Sequence, residues 1–357
     1  MILPMAESSE TVLSSILAIA AHDLASEYQP NDVGFQAYHQ MSRTYQNKSL
    51  ALLAKELNSL SASSSFGSDV STSSAFTLAS VIILCNNEFM QPQGAGWRVH
   101  LAAAREIIMA AKSRSHTYKP LASIEEFLMI EFYEASVWAN LTTFDDSNED
   151  VKPFPHSNET AVFTDFVRVI DEITQMERHK FRSQSQGLPH HSGPTPAILM
   201  QINSARDSML HLADTINFHV EEDRKTFKLV VLMYYHATLI YSCQALGELP
   251  TRDFDAHSSR DEILQYLQSL SGMRIDLFAQ DLVWPLFMAG TEIRSNPDAH
   301  NVIRAGFHSV MQFSRTLDRA RVLSFLESWW QSPVTYVSWI DLARKQYRAS
   351  HCDFLVV

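Results

Sequence analysis

Residues 225–246 hold the side chains best spaced for chemistry. At 100° per residue, Phe227, Val230, Val231, Tyr234, Thr238, Tyr241 and Ala245 share one helix face, which puts two phenols and a hydroxyl at i, i+4 and i+7 in an apolar stripe. An apolar cavity with a few convergent polar groups suits a sterol-like or polyketide-like ligand. The same pattern also describes a core helix whose hydroxyls bond neighbouring backbone, and both readings stand at this level. Tyr235 and His236 face elsewhere; His236 reads as a satisfied core histidine as readily as a base. Upstream, FHVEEDRK (218–225) sets His219 beside Glu221, Glu222 and Asp223. A histidine near carboxylates is the simplest general acid/base arrangement, so His219, Tyr235 and His236 are the candidate catalytic groups. Adjacent residues on a helix do not face each other, however, and the acidic cluster equally reads as the solvated start of the next helix.

Fifteen histidines invite a search for metal ligands, yet no H-E-x-x-H occurs and no two histidines stand at i and i+4. His211 with Asp207 one turn before it reads as a salt-linked pair. The three cysteines, Cys85, Cys243 and Cys352, lie far apart in or beside apolar segments, which suits buried thiols in a reducing compartment and provides no zinc cluster. No G-x-S-x-G elbow or Walker loop appears. The expectation is therefore a protein without metal or cofactor.

The elements that must position these residues are helices. Glycine is scarce, Ala, Leu, Met, Glu and Gln are plentiful, and short Val/Ile/Thr runs joined by tight turns are missing. The pattern predicts an all-α protein, one large irregular multi-helix domain over 1–357. It has about twelve helices, near 10–26, 31–60, 74–89, 97–114, 121–144, 161–181, 196–221, 225–246, 260–270, 275–293, 299–315 and 318–330. Surface loops are expected near 61–74, 145–160, 182–196 and 247–259, where serine, proline and acidic residues cluster. In LVWPLFMAG (282–290), Pro285 implies a helix start or a kink and Gly290 permits close backbone approach. LVVLMYYHATLIYSCQAL (229–246) is uncharged and borders on membrane-spanning length. Its polar side chains point instead to a helix buried in protein on all sides. The N-terminal VLSSILAIAA has no basic region before it and continues into HDLASEY, so it reads as an amphipathic helix and not a signal peptide. A net charge of −12 without a dense Lys/Arg run argues against a nucleic-acid surface.

GAGWRVHLAAAREII (94–108) has two glycines ahead of a helical run, but Val99 stands where a dinucleotide fingerprint needs its third glycine. On a helical projection Trp97, Leu101, Ala104 and Ile108 form one stripe, with His100 and Ile107 at its edge. This is a packing helix. WRVHLAAA also resembles a Trp-Arg-x-His-Leu-x-Gly-Ala signature, with Ala103 in the glycine's place. Further blocks occur in matching order: SSILAIAAHDLA, AYHQMSRTYQNKSLALLAKEL, TLASVIILCNNEF, EEFLMIEFYEASVWANLT, YYHATLIYSCQAL, WPLFMAGTEI, RAGFHSVMQF and VLSFLESWW. Together, over roughly residues 10–335, they resemble the fungal-specific transcription factor domain, the helical regulatory region that follows a zinc-binuclear-cluster DNA-binding module. The resemblance implies an intracellular regulator in the nucleus or cytoplasm, with effectors bound in the C-terminal half. There Trp284, Phe287 and Met288 become candidate pocket walls beside Tyr234, Thr238 and Tyr241.

The six zinc-binding cysteines of that module cannot come from three. A chain complete as given is expected to regulate without DNA-binding of its own, through a small apolar effector or a protein partner, a second copy in a homodimer included, in a fungal pathway such as one of secondary metabolism. It would contact neither nucleic acid nor membrane directly. The alternative is a cofactor-independent cyclase or isomerase that uses the same helical pocket to hold a reactive metabolite.

Overall fold

In a computed structural model, residues 2–62, 70–90, 96–114, 123–144, 162–187, 195–247, 256–270, 272–273, 275–313, 317–332, 338–350, 354 and 356 are described. Among them are fourteen α-helices and no strand, so the all-α expectation holds with two helices more than the sequence pattern predicts. The contacts divide the described chain into two compact units, residues 1–136 and the chain from Val137 on.

The first unit contains α1 (Ile2–Ser8), α2 (Glu10–Ala25), α3 (Val33–Ala62), α4 (Val70–Phe89), α5 (Trp97–Arg114) and the beginning of α6 (Ser123–Thr142). Ser9 caps α2 by accepting from the Val12 N–H at 3.3 Å, satisfying one of the amides a helix start leaves open. The buried side of α2 is small: Ser14, Ser15, Ala18, Ala21 and Ala25 face the core. Its backbone can therefore approach α3 closely. Ser42 donates to the Ala18 carbonyl at 2.8 Å, and the Ser15 and Ser49 hydroxyls meet at 2.6 Å. In α5, Trp97, Ala104 and Ile108 of the projected stripe are buried, while Leu101 is only half-buried and the edge residue His100 is buried in addition. The Trp97 ring lies 6.0 Å from that of Phe89, and its carbonyl accepts from Cys85 Sγ at 3.6 Å. Gly96 starts this helix, its carbonyl accepting from the Val99 and His100 amides. Gly94 falls outside the described residues.

The second unit contains the end of α6, then α7 (Thr164–Ser185), α8 (Pro196–Thr215), α9 (Glu221–Leu246), α10 (Ala256–Ser269), α11 (Val283–Thr291), α12 (Pro297–Phe313), α13 (Leu317–Gln331) and α14 (Trp339–Ser350). Thr195 caps α8 and Pro196 begins it, where a missing N–H costs nothing. The helix expected over 196–221 stops at Thr215, because Ile216 turns extended. Glu221, Glu222 and Asp223 then open α9, where carboxylates complement the positive end of the helix dipole. The helix expected over 275–293 is likewise divided: two 3-10 turns at Asp276–Phe278 and Gln280–Leu282 precede α11, with Pro285 in its first turn.

Helix α9 is the centre of this unit, packed against α7, α8, α10 and α11. It is long and apolar enough to cross a membrane, but 67% of its most apolar window is buried inside the protein. Helix α11 is buried along its whole length and touches α9, α10, α12 and α13. Gly290 allows the approach of α13: a Cβ there would lie 2.8 Å from Leu326 Cδ1 and 3.5 Å from Ile303 Cγ2. Gly290→Ala is expected to lower unfolding stability by about 1–3 kcal/mol, as overpacking does, measured by urea denaturation. The four predicted loops lie largely outside the described residues. Where they are described, residues 61–62, 70–74, 182–185, 196 and 256–259 are helical instead.

Candidate functional site

The six candidate ligand-binding residues are all buried in the second unit, where α9 and α11 bring them into two aromatic groups. Tyr234 belongs to the first. Its ring stacks on Phe163 at 4.3 Å and lies 5.7 Å from Phe166, while Phe163 also meets Phe227 at 5.6 Å. Phe163 sits just before α7 with φ 66, a left-handed backbone that is uncommon for a bulky residue and turns its ring onto Tyr234. Thr238 donates back to the Tyr234 carbonyl at 2.8 Å, so its proton is already committed.

Tyr241, Trp284 and Phe287 form the second group. Trp284 lies 5.4 Å from Trp138 and 5.4 Å edge-on from Tyr241. Phe287 meets Trp339 at 4.9 Å and Phe354 at 5.8 Å, both edge-on. The Tyr241 hydroxyl is 2.8 Å from Thr174 Oγ1, which donates to the Ile170 carbonyl at 2.7 Å. Tyr241 must then be the donor to Thr174. Burial also pushes its phenol well above the ordinary range, which keeps it protonated and unsuited to act as a base. Met288 is buried on the same helix, and its carbonyl accepts from Thr291 Oγ1 at 2.7 Å.

One polar atom in this second group has no use. The Trp284 indole Nε1 is buried and has no hydrogen-bond partner among the described residues. Three other indoles of this unit are engaged: Trp339 donates to Gln244 Oε1 at 2.7 Å, Trp329 to the Thr291 carbonyl at 2.9 Å and Trp330 to the Gly290 carbonyl at 2.9 Å.

The candidate catalytic groups do not converge. His219 is exposed ahead of α9, roughly four helical turns before Tyr235 and His236. Tyr235 donates to Asn203 Oδ1 at 3.3 Å beneath the guanidinium of Arg206. His236 Nδ1 bonds Ser259 Oγ at 2.9 Å, and burial lowers its pKa against the pull of Glu262. These bonds fit a satisfied core histidine. Among the described residues no three His, Cys, Asp or Glu side chains are placed to hold a metal ion.

Sequence reasoning missed Trp138, Trp339 and Gln244. The last carried a signal, since an amide inside an uncharged helix needs partners. It finds them in Thr291, Glu292 and Trp339. Two surface clefts lie apart from the aromatic groups. One, of about 390 Å³, runs between α10 and the α11–α12 turn past Arg260, Asp261, Glu292 and Arg294. The other, of about 370 Å³, lies in the first unit between Glu10, Lys55, Glu56 and Phe76.

Asp281, in the second 3-10 turn, carries a carboxyl shifted far from its ordinary range. Burial raises it to about 7, with Arg319 pulling the other way. The unfolded chain releases this proton near pH 3.9, so the group subtracts stability as pH rises from about 4 to about 7. Asp281→Asn removes that loss. Relative to the parent, the variant is expected to gain stability steadily across this window in paired urea titrations, and a parallel pH dependence would contradict the assignment.

The chain matches the fungal specific transcription factor domain over residues 1–352. No curated protein and no solved structure gives a significant match. With the match spanning nearly the whole chain, the helical blocks and their order have one source: the protein belongs to the fungal specific transcription factor domain family.

Proposed function

We propose that this chain is a regulatory module of transcription control that takes a small apolar effector at the aromatic group around Trp284. The supporting observation is the Trp284 indole N–H, buried between Trp138 and Tyr241 with no acceptor among the described residues. A buried unpaired donor costs roughly 1–3 kcal/mol. An effector with an apolar body and one carbonyl or hydroxyl oxygen relieves that cost while its body packs against the rings. Phe287 and Met288 then act as walls, not as donors, while Tyr234 and Thr238 belong to the neighbouring aromatic group.

The aromatic group is filled by its own side chains, so binding requires them to rearrange. A ligand that favours the rearranged state shifts the module towards it, which is what a regulatory input must do. In this reading the chain works inside the cell, in the nucleus or the cytoplasm. It contacts neither DNA nor membrane itself and passes its state to a protein partner, a second copy included. Fusing the chain to an unrelated DNA-binding module tests this directly: reporter output should depend on the fused chain and change when a sterol-like alcohol is supplied. Output equal to that of the DNA-binding module alone, with and without the alcohol, contradicts it.

A further inference from the structure

On a chain whose net charge is −12, the second unit gathers positive charge in one place. After Glu177, α7 carries Arg178, His179, Lys180 and Arg182 and no acidic residue; after Asp341, α14 carries Arg344, Lys345 and Arg348 and again none. Neither run is long in sequence, and the fold joins them. Arg344 reaches Glu177 across the two helices, and its guanidinium sits 3.7 Å from the centre of the Phe181 ring, with that of Arg348 5.6 Å from the same ring. Phe144 is shared in the same way by Arg178 at 3.9 Å and Arg344 at 4.9 Å. Two half-buried rings thus hold three guanidiniums in a row. Among the described residues two carboxylates meet this row: Glu177, between Arg178 and Arg344, and the half-exposed Asp341, 3.5 Å from Arg344 Nη1. Burial lowers the Arg178 pKa, and the like charges of Arg344 and Arg182 lower it further against the pull of Glu177. Arg182, Lys345 and Arg348 are exposed at the edge of the row. Asp145, Asp146, Glu149, Asp150 and Asp353, which flank these elements in sequence, lie outside the described residues.

We infer that this face of α7 and α14 docks a short acidic segment of a protein partner. Arg348, Arg182 and Lys345 make the contacts, and the more buried Arg178 and Arg344 add to the positive field behind them. A guanidinium held against a ring keeps its planar fork in place, so it takes a carboxylate with less further loss of freedom. An incoming carboxylate also relieves the crowding of like charges that Glu177 and Asp341 answer only in part. The extent of the surface selects the partner. Charges more than about 8 Å apart are largely screened at physiological salt, so a segment short enough to stay on the patch is attracted there despite the acidic remainder of the chain. A nucleic-acid duplex runs on past the patch and carries its phosphates over that acidic remainder. The inference holds whether or not the Trp284 group takes an effector, because it uses none of those residues.

Fluorescence anisotropy of the full chain with labelled deca-glutamate tests this. Because the chain as a whole is acidic, only a local positive surface can hold such a peptide. Deca-glutamate should bind at low salt and weaken as salt is raised. Arg182→Glu combined with Arg348→Glu, which leaves Glu177, Arg178 and Arg344 in place, should weaken binding about ten-fold. Asp341→Asn removes the competing carboxylate beside Arg344 and should strengthen binding about two-fold. Asp207→Asn, on α8, changes the net charge equally and should leave binding as it was. Misfolding does not strengthen binding, and bulk charge does not separate these two variants. No binding by the parent, unchanged affinity in the double variant, or equal effects of Asp341→Asn and Asp207→Asn overturns the inference. Tighter binding of a short DNA duplex than of the peptide overturns it as well. So does binding seen only after the five flanking acids are changed to their amides, since the surface then serves the chain's own flanks.

Discussion

Glu177→Ala is expected to lower stability by about 3–5 kcal/mol, the cost of removing one partner from a buried ion pair. Glu177 is buried on α7 between two guanidiniums: Arg344 Nη2 lies 2.5 Å from Oε1 and Arg178 Nη1 lies 3.2 Å from Oε2. Arg178 also donates to the Asn140 carbonyl at 2.8 Å, helping to close the end of α6, and stacks over Phe144 at 3.9 Å. Burial already lowers the Arg178 pKa, and Arg344 lowers it further, with Glu177 pulling the other way. Without Glu177 the two like charges face each other beside Phe144 and Phe181, and Arg344 keeps only the half-exposed Asp341, whose Oδ1 lies 3.5 Å from Nη1. Urea unfolding of Glu177→Ala, Arg344→Met and the pair of changes together measures this. The combined variant should recover part of the loss, because it removes one of the two like charges that the single variant leaves without their shared buried carboxylate. A loss below about 1 kcal/mol for Glu177→Ala, the level of a surface pair, would show that the network is solvated.

The second large effect is expected at Trp339→Ala, about 3–5 kcal/mol as for other buried tryptophans. Its ring is edge-on to Phe287 at 4.9 Å and to Phe325 at 6.3 Å, and lies 6.3 Å from Tyr241. Its indole holds Gln244. Removing it opens a cavity between α9, α11, α13 and α14 and frees the amide that orders Glu292. Trp339→Phe should recover most of the packing without the hydrogen bond. The difference between the parent and Trp339→Phe, read in the same unfolding experiment, reports that bond at about 1 kcal/mol, and the difference between the two variants reports the packing.

The sequence made some of these features legible and hid others for physical reasons. The burial of α9 followed from an uncharged run too polar for lipid, and the buried stripe of α5 from the spacing of Trp97, Ala104 and Ile108. Such periodicity is local. Helix α14 escaped because WIDLARKQYRAS is short and follows a proline and β-branched residues. What fixes it, Arg344 on Glu177, joins positions 167 residues apart in sequence. The Ile216 break between α8 and α9 escaped similarly, since TINFHV has no glycine or proline to mark it.

At the candidate site the pattern identified which residues would be buried, but not how they would group. Tyr234 and Tyr241 share a helix face and still serve different clusters, because Phe163 turns towards one and Trp339 towards the other. The idle indole of Trp284 was beyond reach altogether. Whether a donor is paired depends on every neighbour in space, and Trp329 and Trp330, equally plain in the sequence, find carbonyls.

That indole decides the functional account. Titrating the parent and Trp284→Phe with a fused-ring sterol alcohol and with its deoxygenated hydrocarbon, followed by thermal shift and calorimetry, isolates the one hydrogen bond the effector is proposed to supply. The account predicts that the parent binds the alcohol up to about ten-fold more tightly than the hydrocarbon, and that Trp284→Phe binds both alike. Equal binding by the parent, an unchanged preference in Trp284→Phe, or no binding of either compound would contradict it.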